Sequence, residues 1–109
     1  MSQSTDLAKV MSFIGACYTF TPEHYPSLEG VTPDQKKSFA VSHSVHHMCK
    51  SMGKLAAECE RYDHGGVMSD AALEEGAVKM FINAVKLIEE LGLTAQDLAD
   101  RVPEYMASK

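Results

Sequence analysis

Between Pro33 and Gly65 the chain carries no proline and a single glycine, Gly53. So long a run without breakers leaves a continuous helix as the simplest fold, and both of its ends are marked. Thr32 is a good N-cap, Pro33 suits the first helical position, and Asp34 faces the positive end of the macrodipole. At the other end, Asp63-His64-Gly65-Gly66 offers Gly65 as the left-handed residue that stops a helix. The sequence therefore predicts a helix over 33–64, weakened at Gly53 by about 1 kcal/mol relative to alanine. Within it Val41, Val45, Met48, Met52, Leu55 and Cys59 alternate four- and three-residue steps. That is a heptad-like seam, predicted to be the face that builds the bundle.

The remaining segments read as helices around this one. Ser4 or Thr5 is the predicted cap of a first helix, about 5–18, whose apolar face is Leu7, Val10, Met11, Ile14 and Tyr18. The stretch from Thr19 to Val31 contains Pro22, Pro26 and Gly30 and reads as an ordered loop held down by Phe20, Tyr25 and Leu28. A third helix, about 70–91, starts at Ser69 and stops at Gly92. Its stripe of Leu73, Ala77, Met80, Ala84, Leu87 and Leu91 is widened by Val78, Phe81, Ile82, Val85 and Ile88. This apolar arc is wider than a surface helix requires, with a wet strip only along Glu75, Lys79, Asn83, Lys86 and Glu90. Burial on two sides is expected, either at the bundle centre or, as the short chain favours, in a homo-oligomer interface. A fourth helix, about 95–102, opens on Thr94 to Asp97 as a capping box, turns Leu98 and Val102 inward and is ended or kinked by Pro103, with Tyr105 and Met106 packing back. The expected fold is all-α: a four-helix bundle with two long central helices, one domain over 1–109.

With 109 residues, 45% of them apolar, the chain is long enough for one core and too apolar for disorder. A net charge of −5 gives no general case for nucleic-acid binding. Three cysteines, Cys17, Cys49 and Cys59, are odd in number and lack CxxC spacing, so they read as free, mostly buried thiols. Neither a signal peptide nor an apolar run of membrane-spanning length is evident, and a cytoplasmic location is expected.

The candidate site lies on the long helix. His43, His46, His47, Lys50, Lys54 and Arg61 share the face opposite the Val41–Cys59 seam. Three readings are open: a solvated face, an anion or phosphate site, or a metal site. In the metal reading His43 and His47, at i,i+4, reach one Zn²⁺ ion with Glu75, Glu74, Cys49 or His64 completing the shell. Glu58, Glu60 and Asp63 oppose the macrodipole near the helix end and read as solvated, His64 as a cap-region residue, and His24 as a loop residue without a partner. No GxSxG, phosphate-binding Gly-rich loop or HExxH motif is present.

Gly53-Lys54-Leu55-Ala56, the turn at 64–69, Leu73-Glu74-Glu75 and the ending from Lys86 to Thr94 together resemble the MazG-like all-α nucleotide pyrophosphohydrolases, over residues 39–102. The resemblance implies a MazG-like bundle, a dimer or tetramer, and a nucleoside triphosphate as ligand. It also implies Mg²⁺ held by an ExxE and an ExxD motif on consecutive helices. In this chain Ser51 and Lys54 stand where ExxE is expected, and Glu75 opens an ExxD whose aspartate is replaced by Val78. His43, His46, His47, Lys50, Lys54 and Glu75 are therefore the candidate ligand-binding residues, with the histidines and lysines contacting phosphate without metal, and His43, His47 and Glu75 the metal candidates. A metal-binding bundle and a non-enzymatic oligomeric interaction module are the alternatives.

Overall fold

The computed structural model describes residues 3–17 and 19–108, and of residues 3–5 the backbone alone. It is all-helical. Helix α1 spans Gln3–Ala16, α2 Pro33–Asp63, α3 Asp70–Glu90 and α4 Ala95–Ala107, with a short 3₁₀ turn at Pro26–Leu28. No strand occurs among the described residues.

The ends follow from local chemistry. Thr32 accepts from the Gln35 backbone N–H while Gln35 Oε1 accepts from the Thr32 N–H at 2.9 Å, a reciprocal cap on α2. Ser69 caps α3, and Thr94 with Asp97 forms the capping box of α4. Gly65, at φ 91°, takes the backbone conformation that the end of α2 requires. Two boundaries differ from expectation. Helix α1 is already formed at Gln3, so Ser4 and Thr5 lie inside it, and Tyr18 falls outside the described residues. Helix α4 runs through Pro103 to Ala107. The carbonyl that Pro103 leaves without a donor belongs to Ala99, which is exposed, so water can satisfy it.

Helices α2 and α3 form an antiparallel hairpin, with α1 on α3 and α4 on α1. The hairpin contact takes in only part of the predicted seam: Leu55 meets α3 and Met48 is half-buried. The face of α2 that is buried carries Ala40, Ser44, Ser51 and Glu58, while Val41, Val45, Met52 and Cys59 are exposed. Small side chains let the two backbones approach closely. At Gly76 of α3 a Cβ would sit 2.9 Å from Leu55 Cδ2. Glu58 clasps the hairpin's closed end: its Oε1 accepts from the Ser69 backbone N–H at 2.8 Å and from Arg61 Nη1 at 2.9 Å. That corrects the solvated reading of Glu58. At the open end Lys36 pairs with Glu90 at 3.5 Å.

Two apolar clusters complete the interior. Met11, Ile14 and Val85 join α1 to α3, with Leu98 of α4 packed alongside. Phe20, Leu28 and Ala40 pin the 19–31 loop to α2, as its apolar residues predict. Within the single chain α3 is not at the bundle centre: Val78 and Phe81, and Leu91 at its cap, are exposed. Val102, Tyr105 and Met106 of α4 are exposed as well, and so are all three cysteines. No helix is long and apolar enough to cross a membrane among the described residues.

Candidate functional site

The loop between α1 and α2 folds back over the start of α2 because Phe20 and Leu28 bury against Ala40. This brings Tyr25 beside Phe39 and His43, which lie one turn apart on α2. The rings form a continuous cluster. Tyr25 meets His43 at 4.9 Å between centroids, Phe39 meets His43 at 5.3 Å, and Phe20 meets His43 edge-on at 5.8 Å. Aromatic pairs favour such tilted and edge-on contacts. His47 continues the ladder with its ring 4.4 Å from that of His43. Tyr25 Oη lies 3.3 Å from His43 Nε2, within hydrogen-bond reach. From α3, Lys86 places Nζ 5.0 Å from the Phe20 ring centroid, a cation–π contact.

Beyond His43 a cleft of 310 Å³ opens between Phe39, Ser42, His43, His46, His47 and Lys50. It contains one aromatic wall, one hydroxyl and four cationic or titratable groups, and no carboxylate. In a chain of net charge −5 this is a local inversion of sign. The electrostatics agree. His43 is held below its ordinary pKa by burial first, then by His47, Lys86 and His46. His47 is lowered by burial, then by Lys50, Lys86 and His46. Burial also lowers Lys86, against an opposing effect of Cys17. Burial and the neighbouring positive groups thus both favour the neutral forms of His43 and His47.

The structure thus brings His43, His46, His47 and Lys50 together and leaves Lys54 and Glu75 elsewhere. Lys54 is exposed beyond the cleft, and Glu75 is paired with Lys79 at 3.3 Å on the solvent side of α3. No group of three or more His, Cys, Asp or Glu side chains suited to a metal ion gathers among the described residues. Ser51, the first position of the expected ExxE, is buried in the α2–α3 contact, and Val78 is exposed. His24 lies 3.3 Å from Thr19 Oγ1 through Nδ1, so it has a partner after all.

Sequence reasoning missed Tyr25, Phe39, Ser42 and Lys86. The four-residue step from Phe39 to His43 to His47 was a readable signal. The arrival of Tyr25 and Lys86 from other segments was not, because nothing local encodes it. No family model matches the chain, nor does any curated protein or solved structure.

Proposed function

We propose that the protein binds a phosphorylated small molecule, of the nucleotide class, in the cleft of Phe39, Ser42, His43, His46, His47 and Lys50. The observation that carries this reading is the absence of any carboxylate from a cleft lined by three histidines and a lysine. Protonated imidazoles and an ammonium donate charge-assisted hydrogen bonds to phosphate oxygens, and the Phe39 ring offers a face against which a base can stack. The reading is compatible with a divergent MazG-like relative that binds rather than hydrolyses. The oxygen donors that Mg²⁺ requires are replaced at Ser51, Lys54 and Val78. Self-association, as a dimer or tetramer, is part of the same proposal.

Binding an anion stabilises protonated His43 and His47, so affinity is expected to rise as pH falls below 6.5 towards their depressed values. The test is thermal denaturation with inorganic phosphate, AMP and ATP, each with and without Mg²⁺. A rise in Tm that is lost in the double variant His47→Ala, Lys50→Ala supports the proposal. No shift with any ligand, or a shift that the double variant keeps, overturns it. Zinc at His43 and His47 is the second reading, favoured only by the 4.4 Å ring separation.

A further inference from the structure

We infer that the groove between α1 and α3, walled by Val10 and Phe13 on one side and by Val78 and Phe81 on the other, binds one free long-chain carboxylate of the fatty-acid class, with its head at Lys86. The groove is separate from the histidine cleft, and the inference does not rest on what that cleft binds.

Two rows of side chains shape the groove. Val10, Ile14 and Cys17 follow a four- and a three-residue step along α1 and just past its end. Val78, Ile82 and Lys86 follow four-residue steps on α3, so each row keeps to one face of its helix. The floor belongs to the core: Ile14 is buried with Met11 and Val85, and Ile82 packs on the same cluster. The walls are bare. Phe13 is 73% exposed, Val78 56%, Val10 47% and Phe81 45%. Four large apolar side chains held open around one hollow mark a binding site rather than scattered surface residues. The hollow has a volume of 580 Å³, inside the range of small-molecule sites.

Charge identifies the occupant. Both rows run from apolar to polar, starting at Val10 and Val78 and ending at Cys17 and Lys86. Among the described residues Lys86 is the only charged member of the lining. Its ammonium interacts electrostatically with Cys17, which puts the positive charge at that end. The carboxylates of the recess beyond are engaged elsewhere: Glu90 pairs with Lys36 at 3.5 Å, and the Glu89 carboxyl packs against Gly15. An apolar trough with one positive end complements an amphiphile with one negative end. The ammonium donates a charge-assisted hydrogen bond to the carboxylate, and the chain displaces water from Phe13 and Phe81. From Val78 to Lys86 helix α3 rises ~12 Å, which an extended chain of about ten bonds spans. A protein partner needs ~800 Å² of cover on each side, more than a groove about two helical turns long supplies. An anionic lipid surface would meet a single lysine on a chain of net charge −5, which gives it no electrostatic hold.

Isothermal titration calorimetry of the full chain with octanoate, decanoate, 1-decanol and decyltrimethylammonium tests the inference. Decanoate is expected to bind one per chain, about tenfold more tightly than octanoate because two further methylenes are buried. 1-Decanol and decyltrimethylammonium are expected to bind roughly tenfold or more weaker than decanoate. Lys86→Met keeps the apolar stem and removes the charge, and should bring decanoate down to the level of 1-decanol. Phe13→Glu and Val78→Glu alter exposed walls, should stay helical by circular dichroism, and should abolish binding of both. Equal binding of decanoate and decyltrimethylammonium, or decanoate binding that survives both wall variants, overturns the inference. So does a wild type that ignores decanoate, whether its groove proves to be closed by a second copy in sedimentation or to carry the chain onto phosphatidylcholine vesicles. The double variant His47→Ala, Lys50→Ala separates the two sites. It is expected to keep decanoate binding while losing any Tm shift with ATP, and loss of decanoate binding there would overturn the groove as the location. Absence of any nucleotide effect in the wild type would count against the histidine cleft alone.

Discussion

The two sides of the α2–α3 hairpin are made of the same two helices and have opposite fates. On one side the 19–31 loop covers α2, its aromatic rings pack around His43, and a cationic cleft opens beside them. On the other side the larger apolar residues of α2 have nothing over them. The covered side buries few large aliphatic residues yet is ordered by rings, a hydroxyl and imidazoles. The bare side leaves Val41, Val45 and Met52 open to solvent. Side-chain apolarity alone therefore does not decide which side of a helix a chain closes over. The reach of its connecting segments decides that too.

Matched truncations on the two sides sharpen the contrast. Phe20→Ala removes the buried ring that anchors the loop, and is expected to cost about 3–5 kcal/mol in urea denaturation and to abolish any ligand-induced rise in Tm. A loss below ~1 kcal/mol would show that the loop is not held as described. Glu58→Ala strips the acceptor from the Ser69 N–H at the turn shared by both sides, and about 1–3 kcal/mol is expected. Equilibrium melts with ligand present should show this loss without a change in ligand affinity. Val45→Ser on the bare side is expected to cost under ~0.5 kcal/mol when measured on dilute monomer. A large loss in the monomer would mean that the bare side is covered from within the chain.

The sides should also differ in their response to pH. The folded-state pKa values of His43 and His47 lie below the ordinary 6.5, through burial first. The folded protein then binds fewer protons than the unfolded chain as pH drops below 6.5. Their contribution to stability is fully present above 6.5 and is lost as pH falls towards the depressed values. The Tm of the wild type is expected to decline over that window, and His47→Gln to flatten the decline. An unchanged slope in the variant would place the acid sensitivity elsewhere. Phosphate should offset the decline if it occupies the cleft.

Much of the fold was legible in the sequence. Thr32, Ser69 and Thr94 cap the helices they were expected to cap, and Phe20, Tyr25 and Leu28 hold the proline-bearing loop. The buried side of α2 was not legible. Hydrophobic periodicity weighs large apolar residues, so it selected Val41 to Cys59. The hairpin is closed instead by small residues at Ala40, Ser44, Ser51 and Gly76, whose value is close backbone approach rather than transfer free energy. The cleft was half legible. His43, His46, His47 and Lys50 fall together on one helix, whereas Lys54, read from the same helical face, lies a turn beyond the cleft, and Glu75, read as a ligand from α3, is paired with Lys79 in solvent.

The clasp made by Glu58 has a consequence for the order in which the chain assembles. Glu58 and Ser69 are close in sequence, so closing the loop between them costs little chain entropy. The hairpin can therefore zip from its turn towards Lys36 and Glu90, and only then offer the platform on which the 19–31 loop and α1 settle. In stopped-flow refolding, Glu58→Ala should slow folding in proportion to its loss of stability, whereas Phe20→Ala should chiefly accelerate unfolding. The aromatic cover that Phe20 and Tyr25 lay against His43 is then the last part of the molecule to take shape and the first to come apart.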